Sequence, residues 1–306
     1  MKSKKLLTIL VGIAVSVSII FCGIIVVTGI QKGSAVSASS SQPEEIHSYK
    51  LEKTSLEEFS EISISASYAD ISILPSEGYY LEYCLDGTCT KPFYRVSDGK
   101  FQFQEGSTQE KYMISFGFSS HEPFFLKLYV PADKYFDMLS IISDSGNVHF
   151  EEISAKQAEL TLDYGNLDFK RFTGDTLRLT MDSGNVEFGT ISCEDVTLES
   201  SYGNVTGDTF TASNGIFSID SGNLSLMDAD FKNLDIACEY GDVDLELRQT
   251  VSDYNCALAT DYGNIYVNNE KIKPNDDDEV IYKKDNKKDR KMKIFCDSGN
   301  ITVSEK

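Results

Sequence analysis

Seven acids in this chain stand at one fixed distance from a glycine. Asp144, Asp163, Asp182, Asp220, Glu239, Asp261 and Asp297 lie two residues before Gly146, Gly165, Gly184, Gly222, Gly241, Gly263 and Gly299, and Ser201 holds that place before Gly203. Paired carboxylates are the machinery of glycoside hydrolysis, but the two groups must sit ~5–10 Å apart in unlike environments. Here each acid occupies an equivalent place, so nothing splits their pKa values. His47, His121 and His149 come with no nucleophile motif. Calcium is the other chemistry that acids in file suggest. Calcium-binding β-rolls use a G-G-x-G-x-D repeat, and the double glycine and the nine-residue period are both missing here. The expectation is a non-enzymatic protein with no catalytic residue, cofactor or dedicated metal site.

A second column has a different chemistry. Tyr164, Tyr202, Tyr240 and Tyr262 directly precede their glycines, Ser145, Ser183, Ser221 and Ser298 precede the others, and Tyr68 fits the same place earlier in the chain. Facing outward, such tyrosines form a stripe that stacks on a glycan or seats a partner. Alternating large and small side chains also lets neighbouring layers pack without clash, and that is the reading favoured by sequence.

The turn itself explains the remaining residues. An Asp side chain accepts a hydrogen bond from the N–H two residues on, here the glycine's. Glycine adopts a positive φ without a Cβ clash. Asn147, Asn166, Asn185, Asn204, Asn223, Asn264 and Asn300, with Asp242 in the same column, follow their glycines and tolerate left-handed geometry. The intervals between Gly146, Gly165, Gly184, Gly203, Gly222 and Gly241 are all 19 residues; the last two are 22 and 36. A fixed period of about 20 residues marks a solenoid.

Strands must position these turns. Val148, Leu167, Val186, Val205, Leu224, Val243, Ile265 and Ile301 lie two after the glycine, and Ile141, Leu160, Leu179, Leu198, Phe217, Ile236, Leu258 and Ile294 five before it. Polar residues alternate with them, and four after the glycine only Gly207 breaks an apolar column. Period-two alternation buries one face. The fold class expected is all-β: a single-stranded β-solenoid of about 19-residue coils, each with two or more short strands joined by turns, stacked in chain order. Residues 55–135 carry a blurred repeat, including Ile62–Ile73 with Ala69 in the glycine place, and read as an N-terminal β cap. Two hairpins are expected in it, 79–90 and 93–103. Residues 268–291, acidic then basic, read as an insertion leaving the last coil as a disordered or hairpin excursion with its charges facing solvent, or alternatively as a binding loop on one face.

Leu6 to Ile30 is apolar and uncharged. Its 25 residues span ~37 Å as a helix, enough to cross a ~30 Å hydrocarbon core with tilt. Lys2, Lys4 and Lys5 precede it, so residues 1–5 are expected as a cytoplasmic stub, 6–30 as a transmembrane helix, 31–54 as a flexible linker, and 55–306 as an extracytoplasmic domain. A cleaved signal peptide, with a small-residue site at Val36-Ser37-Ala38, is the competing reading, and the apolar run is long for it. Beyond Lys32 there are 24 basic and 48 acidic residues. That charge argues against nucleic acid and against anionic lipid as partners. Cys84 and Cys89 flank an Asp-Gly turn and, in that hairpin, would stand close enough for a disulfide. Cys193, Cys238, Cys256 and Cys296 read as small buried hydrophobes. Cys238 and Cys296 sit two coils apart if coils stack in chain order, beyond disulfide reach.

The run Ile62–Ile73, the strand end Leu128-Tyr129-Val130-Pro131 and the ordered series of S/Y-G-N/D turns resemble the bacterial toastrack family, over about residues 55–306. These domains have no assigned activity and are commonly labelled adhesin-like. The resemblance implies a domain outside the membrane beside a transmembrane segment, a non-enzymatic sensor or scaffold role in envelope-stress signalling, and an envelope or membrane protein as partner. It carries no catalytic residues. An adhesin-like module binding cell-wall glycan along the tyrosines is the alternative expectation.

Overall fold

In this computed structural model the described residues are 48–87, 89–106, 124–274 and 279–306. The expected stub and membrane helix, and the linker up to residue 47, lie outside them. Among the described residues no helix is long and apolar enough to cross a membrane. Ser48–Ser55, expected as linker, forms strand β1.

Among the described residues, twenty strands build the unit that begins at Ile46. The N-terminal region holds β1, β2 (Glu61–Ala66), β3 (Asp70–Ser76), β4 (Tyr80–Asp86), β5 (Phe93–Ser97), β6 (Lys100–Gln104) and β7 (Phe125–Pro131). The coils hold β8 (Tyr135–Ser143), β9 (Val148–Tyr164), β10 (Leu167–Ser183), β11 (Val186–Tyr202), β12 (Val205–Ser221) and β13 (Leu224–Tyr240). The remainder are β14 (Val243–Leu247), β15 (Tyr254–Tyr262), β16 (Ile265–Val267), β17 (Glu270–Lys271), β18 (Val280–Lys284), β19 (Arg290–Ser298) and β20 (Ile301–Glu305).

Each central coil is one unbroken 17-residue strand, where the sequence suggested separate short ones. The burial pattern of β9 shows how. Val148 and Phe150 face in, then Ile153 and Ala155, then Ala158, Leu160 and Leu162. Two neighbouring outward residues, Glu151 and Glu152, then Lys156 and Gln157, reset the alternation between these groups. Each reset is a bend that keeps the interior apolar while the ladder to the next coil continues in parallel register. Phe150, Phe169 and Phe188 stack in file, with centroids 4.6 and 5.7 Å apart. The file ends because the Phe188 ring lies over Gly207, where a Cβ would stand 2.1 Å from it.

Each glycine turn joins a strand segment before it to a strand segment after it. Before the turn, the lateral order is β5, β6, β2, β8, β9 to β13, β19, β15, β18. After it, the order is β1, β4, β7, β3, β9 to β13, β14, β20, β16, β17. The coils therefore do not stack in chain order. The last coil in sequence, turning at Gly299, is inserted between those of Gly241 and Gly263. At the other end, β2 and β3 lie inside β6 and β7.

All four outermost edges carry antiparallel strands. The β1–β4 pair covers β7, β5 covers β6, β17 covers β16 and β18 covers β15. An open parallel edge would template pairing with another chain, and these additions occupy it. The 268–291 insertion thus supplies β17 and β18 to the C-terminal edge, each in antiparallel pairing. The second expected hairpin is present as β5–β6, with its turn at Asp98 (φ 54°) and Gly99 (φ 73°). The first is replaced: β4 is held between β1 and β7, and among the described residues no strand beginning at Cys89 pairs with it. Cys84 and Cys89 are both buried.

Candidate functional site

The turns line up along one edge, and packing explains the glycine column. Gly165, Gly184, Gly203, Gly222, Gly241 and Gly299 have φ between 138° and 154°. Gly146 and Gly263 share the stronger constraint: a Cβ at any of the eight would lie 1.8–2.4 Å from the carbonyl oxygen of the neighbouring turn. No side chain fits between turns at this separation.

The acid column does not cap the turn as the sequence suggested. The glycine N–H reaches sideways instead, Gly184 to Tyr202 O at 2.9 Å and Gly203 to Ser221 O at 3.0 Å. Asp144, Asp163, Asp182, Asp220 and Glu239 are left exposed, and Asp261 and Asp297 half-buried. Burial pushes the Asp261 carboxyl above the usual carboxylate value, and the negative charge of Asp297 on the adjacent coil adds to it.

The Asn column does the bonding. Each side-chain oxygen accepts the backbone N–H of the residue beside it. The line runs from Asp70 to Asn147 (2.8 Å), Asn166 (2.9 Å), Asn185 (2.9 Å), Asn204 (2.9 Å), Asn223 (3.0 Å), Asp242 (2.9 Å), Asn300 (2.7 Å) and Asn264 (3.1 Å). Asp70 and Asp242 need no amide to take part, because only the acceptor oxygen is used. Beside Asp70, the Glu105 carboxylate accepts the N–H groups of Ser67, Tyr68 and Ala69 at 2.7, 3.0 and 3.3 Å and closes the turn there.

The tyrosines are exposed, against the packing reading: Tyr68 48 %, Tyr164 59 %, Tyr202 62 %, Tyr240 57 % and Tyr262 66 %. In register, Tyr164 pairs with Ser183, Ser183 with Tyr202, Tyr202 with Ser221 and Ser221 with Tyr240. Tyr240 then pairs with Ser298, and Ser298 with Tyr262. At the other end Gly146 lies against Ala69, which puts Ser145 beside Tyr68. The spatial order is Tyr68, Ser145, Tyr164, Ser183, Tyr202, Ser221, Tyr240, Ser298, Tyr262. In sequence the alternation fails at its last two members; the inserted coil restores it. Five exposed rings stand ~10 Å apart over ~38 Å, from a layer spacing of ~4.8 Å.

Exposed Asp163 and Glu239 and half-buried Asp261 directly precede Tyr164, Tyr240 and Tyr262, and Ser67 and Ser201 precede the other two rings. Two residues beyond each ring stands a member of the Asn line, with Asp70 and Asp242 in that place after Tyr68 and Tyr240. The line ends beside a cavity of about 260 Å³ lined by Asp261, Tyr262, Gly263, Asn264, Lys271, Pro274 and Val280. Among the described residues no three His, Cys, Asp or Glu side chains gather as a metal cluster. The edge offers flat aromatic faces, hydrogen-bond acceptors and negative charge in a periodic line. That is the equipment for lying along an extended chain.

A family model described as Toastrack DUF4097 matches residues 59–304. No curated protein matches the sequence. Among solved structures, a "putative adhesin" of Bacteroides fragilis NCTC 9343 is similar at 14 % identity and a TM-score of 0.48, covering 86 % of this chain and 98 % of its own. A "putative adhesin" of Parabacteroides distasonis ATCC 8503 is similar at 14 % identity and a TM-score of 0.45, with 86 % and 98 % covered. A "putative lipid binding protein" of the same organism is similar at 12 % identity and a TM-score of 0.42, with the same shares covered.

Proposed function

The chain belongs to the Toastrack DUF4097 family, and on that premise we propose that it is a non-catalytic surface-binding module whose turn edge lies along an extended glycan. The observation that carries this reading is the line of five exposed tyrosines on alternate layers. A pyranose ring presents one apolar face to an aromatic ring, and its hydroxyls take the neighbouring carboxylates and amides as partners. A β-1,4-linked glycan turns over at each sugar and so repeats every two sugars. That repeat is of the order of two layer spacings, ~10 Å. The acid column and the net charge of −20 set the sign of the ligand: neutral or amino sugars, not a polyanion.

In this reading residues 6–30 anchor the protein and the strand-rich unit stands outside the cytoplasm, within reach of cell-wall glycan. Proximity to the membrane also favours a second reading, a sensor or scaffold in envelope-stress signalling with a membrane protein as partner. Crosslinking the full-length protein in cells, followed by mass spectrometry, separates the two. Glycan attached to peptides of the turn edge is expected. One reproducible membrane protein, attached away from that edge, would transfer the role to the second reading.

A further inference from the structure

The inserted coil brings together two cysteines that lie far apart in the chain. Strands β13 and β19 pair in parallel with Cys238 directly opposite Cys296. Their Cα atoms are therefore one layer apart, ~4.8 Å, inside the ~4.4–6.8 Å range of bridged cysteines. The distance expected from sequence was twice that, because it assumed coils stacked in chain order. Both side chains point into the core, 1 % and 0 % exposed. Both are free thiols in this structure, and Cys238 Sγ donates to Gly241 O at 3.4 Å. Contact with the Cys296 thiol holds the Cys238 thiol below its ordinary value, against the opposing effect of burial. Their column neighbours are Ile219 and Thr260, so no third thiol competes in that file.

We propose that Cys238 and Cys296 close as a disulfide that ties the inserted final coil to the coil of Gly241. The proposal rests on the unit lying outside the cytoplasm, where such bonds persist. Burial places the reaction during folding, before β19 is fully docked. One cysteine thiolate attacks a small-molecule or protein disulfide, breaking its S–S bond and releasing one thiolate. The second cysteine attacks the mixed disulfide and releases the other. Two thiols lose two electrons and two protons, and the donor disulfide is reduced to two thiols. The bridge encloses β14 to β18, so it holds the out-of-order coil in place and restricts the unfolded chain.

The test uses full-length protein from intact cells, alkylated under denaturing conditions without reductant, digested and analysed by mass spectrometry. The expected product is a Cys238 peptide joined to a Cys296 peptide, with neither position alkylated until dithiothreitol is added. Full alkylation of both without reductant overturns the proposal. Refolding the full chain in a glutathione buffer then identifies the failed premise. A bridge formed there but not in cells faults the compartment, and no bridge in either faults the geometry. As a second readout, dithiothreitol should lower the melting temperature of the native protein and leave that of Cys296→Ala unmoved. An equal shift in the variant would assign the effect to another pair and count against the bridge.

Discussion

Replacing Gly203 by alanine puts a Cβ 1.8 Å from Gly184 O and 2.6 Å from its carbonyl carbon. Ordinary contact is about 3.4 Å or more, and both obstacles are backbone, so the two turns must separate. Separation strains the bonds that join them, Gly184 N–H to Tyr202 O at 2.9 Å and Val186 N–H to Asn204 O at 2.9 Å. Losing both costs ~1–3 kcal/mol at ~0.5–1.5 kcal/mol each. Alanine at φ 139° adds ~1–3 kcal/mol of backbone strain. The total, ~2–6 kcal/mol, is a large share of a typical ~5–15 kcal/mol stability. Urea unfolding of the full chain followed by far-UV circular dichroism should show a midpoint lower by roughly 1–2 M, taking a slope of ~3 kcal/mol per M. Gly78→Ala is the control. Its Cβ would meet only the Tyr80 side chain, at an ordinary 3.4 Å, and its φ is not in the left-handed range. Equal midpoints for the two variants would refute the claim that close approach of turns dictates the glycine column.

Asn204→Ala removes the acceptor for the Asn223 N–H and should cost ~0.5–1.5 kcal/mol, whereas Asn204→Asp keeps the acceptor, as Asp70 and Asp242 do, and should stay within ~0.5 kcal/mol. Paired urea titrations check this, and equal losses would remove the Asn line as a source of stability. Asp261 has a folded-state pKa raised above the ordinary 3.8, so its contribution is present below that value and is lost as pH rises through the raised value. Asp261→Asn should therefore raise the melting temperature at pH 7 and leave it unchanged at pH 3; thermal melts at both pH values decide, and a gain that persists at pH 3 would have another cause.

The glycine period exposed the solenoid, and the alternation of residues such as Leu160, Leu179 and Leu198 exposed its interior, because both patterns follow from geometry that repeats locally. The order of coils was not legible by the same means. Chain order is the simplest stacking, and neither Gly263 nor Gly299 differs in type from its neighbours. One signal was available: Tyr262 and Ser298 break the Tyr/Ser alternation in sequence, and exchanging their coils mends it. The same exchange moved Cys296 next to Cys238. The Asp and Asn columns were visible as columns, but a turn residue was assumed to bond within its own turn. The bonding falls to the Asn and not to the Asp, and no member of the Asn column is left-handed. In a stack the neighbouring turn lies as close as the residue's own, and Asn147 or Asn204 bonds across. The first hairpin misled for a related reason: the Asp86-Gly87 signal is local, while β4 is held from both sides by β1 and β7.

The central claim is that the tyrosine line is a binding surface, and the most direct measurement compares the full-length protein with its Tyr164→Ser/Tyr202→Ser/Tyr240→Ser variant on β-1,4-linked amino-sugar oligosaccharides of increasing length. Serine already occupies the alternate layers, so the variant keeps the turn chemistry of Ser183 and Ser221. The account predicts affinity that rises with chain length up to the span of the line, ~38 Å. It also predicts a loss of roughly 100-fold in the variant, from about 1 kcal/mol for each aromatic anchor. Equal affinity of the two proteins, or no dependence on chain length, would contradict it.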